Sequence, residues 1–179
     1  MKNKTLSLSK IVKTIKKYHN INFELHIMAV NPLQIIRKYG EYFSKITFHI
    51  DNLGREEISD ALKLIREKKK KAGIALLHTT PLTRLAEADK RFFQSILLLC
   101  IRKPGFSGQR FAPNAIEKIR KAKVFFKSKA IEVDGGVTPE NISIIAKAGA
   151  DIIDCASAIY SADDIKKRIG QLIKEVSKA

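Results

Sequence analysis

Ser95-Ile96-Leu97-Leu98-Leu99-Cys100-Ile101 is an unbroken apolar run that stops at Arg102-Lys103 and gives way to Pro104-Gly105-Phe106-Ser107-Gly108-Gln109. A short apolar segment bounded by turn residues suits a strand buried on both faces, the habit of strands in a parallel sheet. Outward from it the same unit recurs. Strands are expected over residues 23–28, 46–50, 73–77, 95–101, 130–134 and 151–156. Amphipathic stretches predict helices over residues 6–18, 32–39, 55–70, 82–86, 113–121, 139–148 and 162–178. Asn31-Pro32 and Thr138-Pro139-Glu140 set a capping residue before a helix-compatible proline. Six βα units in one α/β domain over residues 1–179 fit a doubly wound sheet or part of an eight-stranded barrel.

Composition narrows the setting. A chain of 179 residues, 45% hydrophobic, can bury one sizeable core. Cys100 and Cys155 sit far apart in apolar runs, which reads as two buried thiols and a reducing, cytoplasmic location. The first residues carry lysines but no continuous apolar stretch, so neither a secretory signal nor a membrane partner is expected. The formal charge of +16 attracts anions. Its lysines are spread over the helical segments KTIKK, REKKKK, EKIRKAK and IKKR, where solvated faces are the simpler reading and a polyanion surface the alternative. Aromatic residues make up 7% and do not alternate with basic ones, so nucleic acid is not an expected partner.

The segments that carry chemistry follow the strands, where a parallel barrel holds its active site. In Pro104–Gln109 two glycines and a serine let backbone N–H groups turn towards an anion, although the same residues also suit an ordinary tight turn. In Ile131-Glu132-Val133-Asp134-Gly135-Gly136-Val137 a carboxylate ends a strand and is followed by a loop that admits close backbone approach. An aspartate turn would read the same way. His26 in Leu25-His26-Ile27-Met28 follows strand alternation into a barrel end, as does His49 in TFHID, and either also suits a structural histidine. His19 and His78 receive no role. Ala156-Ser157-Ala158 offers small residues at a turn where amides hold phosphate.

In order and spacing, LHIMAVNP, ITFHID, KAGIALLHTTP, PGFSGQRF, IEVDGGV and GADIIDCASAIY together resemble the ribulose-phosphate 3-epimerase family. The resemblance implies a TIM barrel that interconverts D-ribulose 5-phosphate and D-xylulose 5-phosphate. Its chemistry is a metal-assisted, two-base proton transfer at C3. It implies a divalent metal, Fe2+, Zn2+ or Mn2+, with His26 as one ligand and Asp134 as both ligand and acid/base group. It assigns Met28 to the site lining, and Gly105, Ser107, Gly108, Gly135, Gly136, Ala156 and Ser157 to the substrate and phosphate. Departures accompany the matches: Cys100 stands for a site-lining methionine, Ala156 for a phosphate-loop glycine, and Leu77-His78 for an Asn-Pro pair. Arg102-Lys103 adds positive charge beside the phosphate loop.

On this resemblance the chain opens a few residues after the strand that supplies the other histidine and aspartate. A barrel shortened at its N-terminus to about six strands is therefore expected, with two of the four family ligands absent. Asp154, in an otherwise apolar strand, fits a protected sheet edge or a local hydrogen bond. The expected partners are a phosphorylated pentose and further copies of the chain in a homo-oligomer. The alternatives are a sugar-phosphate-binding homologue with impaired catalysis and a basic polyanion-binding protein.

Overall fold

The computed structural model describes residues 8–106 and 108–179. Ser107, assigned to the phosphate cradle by the sequence, lies outside the described residues. Six strands pair in chain order, β1 to β6, without the reversal that marks a doubly wound sheet. The architecture is therefore of the (β/α) barrel type. By contacts the chain divides into two compact units, one ending at Ile74 and taking in Arg84–Gln94, the other made of Ala75–Thr83 and Ser95–Ala179.

The first unit contains α1 (Leu8–Lys17), β1 (Glu24–Ile27), α2 (Pro32–Tyr39), β2 (Lys45–His49), α3 (Arg55–Glu67) and the first half of β3 (Lys71–Leu77). β1 and β2 run parallel, with Glu24 opposite Lys45 and His26 opposite Thr47. The buried Lys45 ammonium meets the Glu24 carboxylate at 2.5 Å, an opposite-charge cross-strand pair. Ile46, Phe48, Ile58, Leu62, Ile65 and Phe93 are fully buried and form this unit's core. α2 is capped as the sequence predicts, with Asn31 Oδ1 accepting the Gln34 N–H at 3.3 Å.

α3 stops short of the expected residue 70 because its last turn closes on itself. The Lys70 N–H reaches Ile65 O at 3.1 Å and the Lys69 N–H reaches Arg66 O at 2.8 Å, the bonding of a Schellman cap. Lys69 holds the left-handed position of that cap at φ 56°, where glycine is the usual choice.

The expected helix over residues 82–86 is a 3-10 segment, Leu82–Glu87. Its Arg84 is pulled aside to donate to Ile50 O at 2.8 Å and to Leu53 O.

The second unit continues β3 and adds β4 (Ser95–Leu99), α4 (Ala115–Phe125), β5 (Ala130–Asp134), α5 (Ile142–Lys147), β6 (Ile152–Asp154), α6 (Ser157–Tyr160) and α7 (Ile165–Val176). Every residue of β4 is buried, as the continuous apolar run predicts. Leu97, Leu99 and Ile101 pack with Ala75 on one face; by alternation Ile96 and Leu98 serve the other.

The helix expected from residue 139 begins only at Ile142. Asn141 Oδ1 accepts the Thr138 N–H at 2.8 Å and its Nδ2 donates to Gly136 O at 2.9 Å, so residues 138–141 are spent on a turn. Asp151 joins β6 to β5 and α4. Its carboxylate accepts the Ile131 N–H at 2.8 Å and the Lys123 ammonium at 2.5 Å. Partial burial opposes its charge, but these two donors outweigh it and hold the carboxyl below its ordinary 3.8.

Two stability measurements follow from these contacts. Lys69→Gly relieves the left-handed backbone and should raise unfolding free energy by about 0.5–1 kcal/mol in a urea titration. Asp151 has a depressed native pKa, so its contribution is complete above 3.8 and disappears as pH falls through the native value. Asp151→Asn should accordingly be destabilising at pH 7 and converge with the parent chain in acid.

Candidate active site

In the second unit, two side-chain amides shape the turns that follow β4 and β5. Gln109 Oε1 accepts the Lys103 N–H at 2.9 Å, and its Nε2 donates to Lys103 O at 2.6 Å and Phe106 O at 2.7 Å. These bonds fold Gln109 back onto Lys103 and Phe106, and Gly105 and Gly108 sit at φ 81° and 76°. Asn141 closes the Gly136–Thr138 turn in the same way.

The two turns touch at one place. Gly136, at φ 70°, lies so near the next segment that a β-carbon there would stand 2.6 Å from Phe111 Cα and 2.8 Å from the Arg110 carbonyl carbon. Only glycine fits. The result is a cleft of about 390 Å³ lined by Gly108, Arg110, Phe111, Gly136, Asn141 and Ser157, among others. Gly135, at φ 96°, packs its α-carbon against Ile101. Arg102 and Lys103 are exposed and do not line this cleft; Arg110, which the sequence reading passed over, supplies its cation.

Asp134 ends β5, in register with Leu99 on one side and Asp154 on the other. It lines a second cavity, of about 640 Å³, together with Asp154, Cys155, Ala156 and the apolar Ile169 and Leu172 of α7. Ala156 lines this larger cavity, and Ser157, the next residue, lines the smaller cleft. Cys100 donates its N–H to Asp134 O at 2.8 Å and accepts the Ala112 N–H at 2.8 Å, so one residue ties the end of β5 to the segment after Phe111.

Both thiols are free. Burial pushes Cys100 up to about 12, with Lys118 opposing and the Asp134 charge adding to the rise. Burial, then Asp154 and Asp134, raises Cys155 as well. Neither is a thiolate nucleophile at neutral pH. Cys155 is half-buried, not buried as the sequence suggested.

Lys118, itself buried, donates to Leu77 O at 2.5 Å and to Thr80 O, fixing the loop after β3. His78, given no role by the sequence, meets Asn114 Oδ1 at 3.1 Å through its Nδ1.

The first unit presents a different group at its strand ends. His26 Nε2 lies 3.1 Å from His49 Nε2, and His49 Nδ1 lies 2.7 Å from Asp51 Oδ2. The rings are within 18° of parallel. A carboxylate accepts only, so His49 carries its proton on Nδ1. With both rings neutral, His26 must then donate from Nε2. Met28, assigned to the site lining, is 40% exposed just beyond β1.

Two imidazole nitrogens this close approach the spacing of about 3.3 Å that neighbouring ligands take on one tetrahedral ion. A carboxylate behind one of them is the usual support for a ligating histidine. Among the described residues, however, no group of three or more His, Cys, Asp or Glu side chains assembles around a metal position. The donors described do not complete a divalent-metal site, which ordinarily takes three or four protein ligands.

A family model, the ribulose-phosphate 3 epimerase family, matches residues 1–160. The chain belongs to the ribulose-phosphate 3-epimerase family. It is 31% identical over 170 residues to a ribulose-phosphate 3-epimerase, cytoplasmic isoform, from Oryza sativa, covering 93% of this chain and 73% of that one. It is 34% identical over 167 residues to the ribulose-phosphate 3-epimerase of Aquifex aeolicus, covering 90% and 73%. The fold also matches the crystal structure of 3-hexulose-6-phosphate synthase from Salmonella typhimurium, with a TM-score of 0.72 at 15% identity over 96% of this chain and 80% of that one.

For this epimerase-family chain, sequence reasoning left His49 open and missed Asp51, Arg110, Gln109 and Asn141. Asp51 had a signal, an acid two residues beyond a strand histidine; Arg110 had only its place after Gly108. The relay orientation is measurable. In long-range 1H–15N spectra at neutral pH, His49 should show the Nδ1–H tautomer and His26 the Nε2–H tautomer. Asp51→Asn should release that preference in both rings.

Proposed function

We propose that this chain interconverts D-ribulose 5-phosphate and D-xylulose 5-phosphate in the cytoplasm, binding the phosphate in the glycine cleft and exchanging the C3 proton at Asp134. One observation carries the reading. A cleft lined by glycines, Arg110 and Ser157 and a cavity lined by Asp134 and Ala156 lie in the same compact unit, on consecutive residues at Ala156 and Ser157. Family membership supports the reaction, and the printed name of the rice relative supports the location.

The chemistry follows from the substrate. The hydrogen on C3 is acidic because the neighbouring C2 carbonyl takes up the electron pair and forms an enediolate. A carboxylate at the mouth of a strand removes that proton from one face. Inversion requires a proton to be delivered to the opposite face by a second acid or by water, so the open-chain sugar must be held in place between the two transfers. The phosphate cleft supplies that hold. Arg110 offers a guanidinium to the dianion, and the left-handed glycines bring backbone close to it. Asp134 gains from distance: a carboxylate beside the phosphate would repel it, whereas C3 lies two carbons away from the carbon that bears it.

A second reading, a sugar-phosphate binder that does not turn over, draws support from the incomplete metal donor set. Proton NMR in D2O separates the two. With ribulose 5-phosphate and each of Fe2+, Zn2+ and Mn2+ supplied, the C3 proton signal should disappear as xylulose 5-phosphate forms. Asp134→Asn should slow that loss by about 100-fold or more while leaving binding of the sugar phosphate intact. Gly136→Ala should weaken binding by about tenfold or more, because the β-carbon displaces Phe111. Exchange that continues unchanged in Asp134→Asn would refute the assignment, and binding without exchange in the parent chain would establish the second reading.

A further inference from the structure

The first unit carries another cavity, of about 530 Å³, lined by Arg66, Lys70, Arg91, Phe92 and Gln94. Its residues come from the end of α3 and the segment leading to β4, that is, from the amino-terminal ends of strands. The glycine turns follow carboxyl ends. Cations at a helix C-terminus need no ligand to explain them, since they complement the helix dipole. Arg91 belongs to no helix, and its convergence with Arg66 on one aromatic ring is not required by capping. The Arg66 guanidinium carbon lies 5.0 Å from the Phe92 centroid and that of Arg91 lies 5.6 Å from it.

Charge balance separates these cations from ordinary surface pairs. Asp89 grips Arg91, accepting from Nη2 at 2.6 Å and from Nε at 3.1 Å, and cancels much of its charge. That carboxyl is held at about 2, so the cancellation persists at any ordinary pH. Arg66 and Lys70 have no carboxylate partner among the described residues. Gln94 commits its Oε1 to the Ala72 N–H at 2.9 Å, which leaves amide N–H donors for the cavity. Two uncompensated cations, a guanidinium already oriented by an aromatic ring, and neutral donors fit one dianionic group with little ordering left to do.

We propose that this cavity is a second anion site that binds the phosphate group of a small phosphorylated molecule. A phosphate monoester carries about two negative charges at neutral pH, matching Arg66 and Lys70. The cavity volume exceeds what a bare phosphate fills, so an organic portion lies against Phe92 and the arginine planes. The Schellman turn at Lys69 fixes the backbone of Lys70 beside the cavity, and its ammonium reaches the ligand on a flexible stem. The site is independent of the reading given for the glycine cleft.

Amide chemical-shift titration of the full chain at about 0.15 M salt tests it, with inorganic phosphate in one arm and adenosine monophosphate in the other. Saturable shifts at residues 66–70 and 91–94 are expected with the nucleotide, and weaker ones with phosphate alone. Equal affinity in the two arms would assign the site to free phosphate and still support it. Arg66→Gln with Lys70→Gln should reduce the affinity by about tenfold or more without changing the thermal melt or C3 proton exchange. Gly136→Ala should leave these shifts intact, which separates this site from failure of the phosphate cleft. The proposal is wrong if no saturable shifts appear there, if the double variant titrates like the parent, or if only an oligonucleotide binds.

Discussion

The backbone of residues 110–111 passes so close to Gly136 that no side chain fits between them, and the glycine-lined cleft depends on that contact. It brings the turn after β5 against the segment that returns from the loop after β4, two pieces about 25 residues apart in sequence. Neither turn is stiff by itself. Gln109 and Asn141 each spend a side-chain amide on backbone groups that would otherwise face solvent, and Cys100 ties both segments to the end of β5. A bidentate amide does for a loop what a ladder does for a strand: it satisfies donor and acceptor together and leaves one geometry.

Burial decides where chemistry can occur in such a fold. β4 is inaccessible along its whole length, so polar groups there would lack partners, and function is pushed to strand ends. The same constraint made the strands legible. Unbroken apolar runs between turn residues gave all six in place, with errors of a few residues at their ends. The barrel order was not readable from pattern alone, because a doubly wound sheet produces the same alternation; it came from the family resemblance and stands in the strand pairing.

What escaped the sequence depended on tertiary partners. The helix at residue 139 looked complete from its proline and acid, but Asn141 bonds backward to Gly136 and takes the first turn away. Residues 82–86 had helical spacing, but Arg84 leaves to serve carbonyls beyond β2. Lys69 in a left-handed cap runs against local preference and no propensity argument would place it there. The place of Asp134 at a strand end and the left-handed glycines after it were legible because strand-end carboxylates and paired glycines are local signals. Arg110 and Asp51 were not, since each matters only through what it faces. The lysine run REKKKK read as solvated surface, and most of it is exposed; Arg91 and Phe92, 20 or more residues away in the chain, are what turn its first and fifth members into the wall of a cavity.

Charge is divided along the second unit in a way that suits a substrate with two unlike ends. Asp134 and Asp154, at the ends of β5 and β6, line one cavity, whereas Arg110 is the charged residue of the cleft lined by Ser157. Opposite charge at the two places orients a molecule that is anionic at one end and carries only hydroxyls and a carbonyl at the other. It also limits what the acidic side can be asked to do. Asp134 and Asp154 stand side by side in the β5–β6 register, so the negative charge of this side is concentrated at the strand ends. On the proposed reading, a cation at the end of β5 offsets the negative charge that develops on the sugar as its C3 proton leaves.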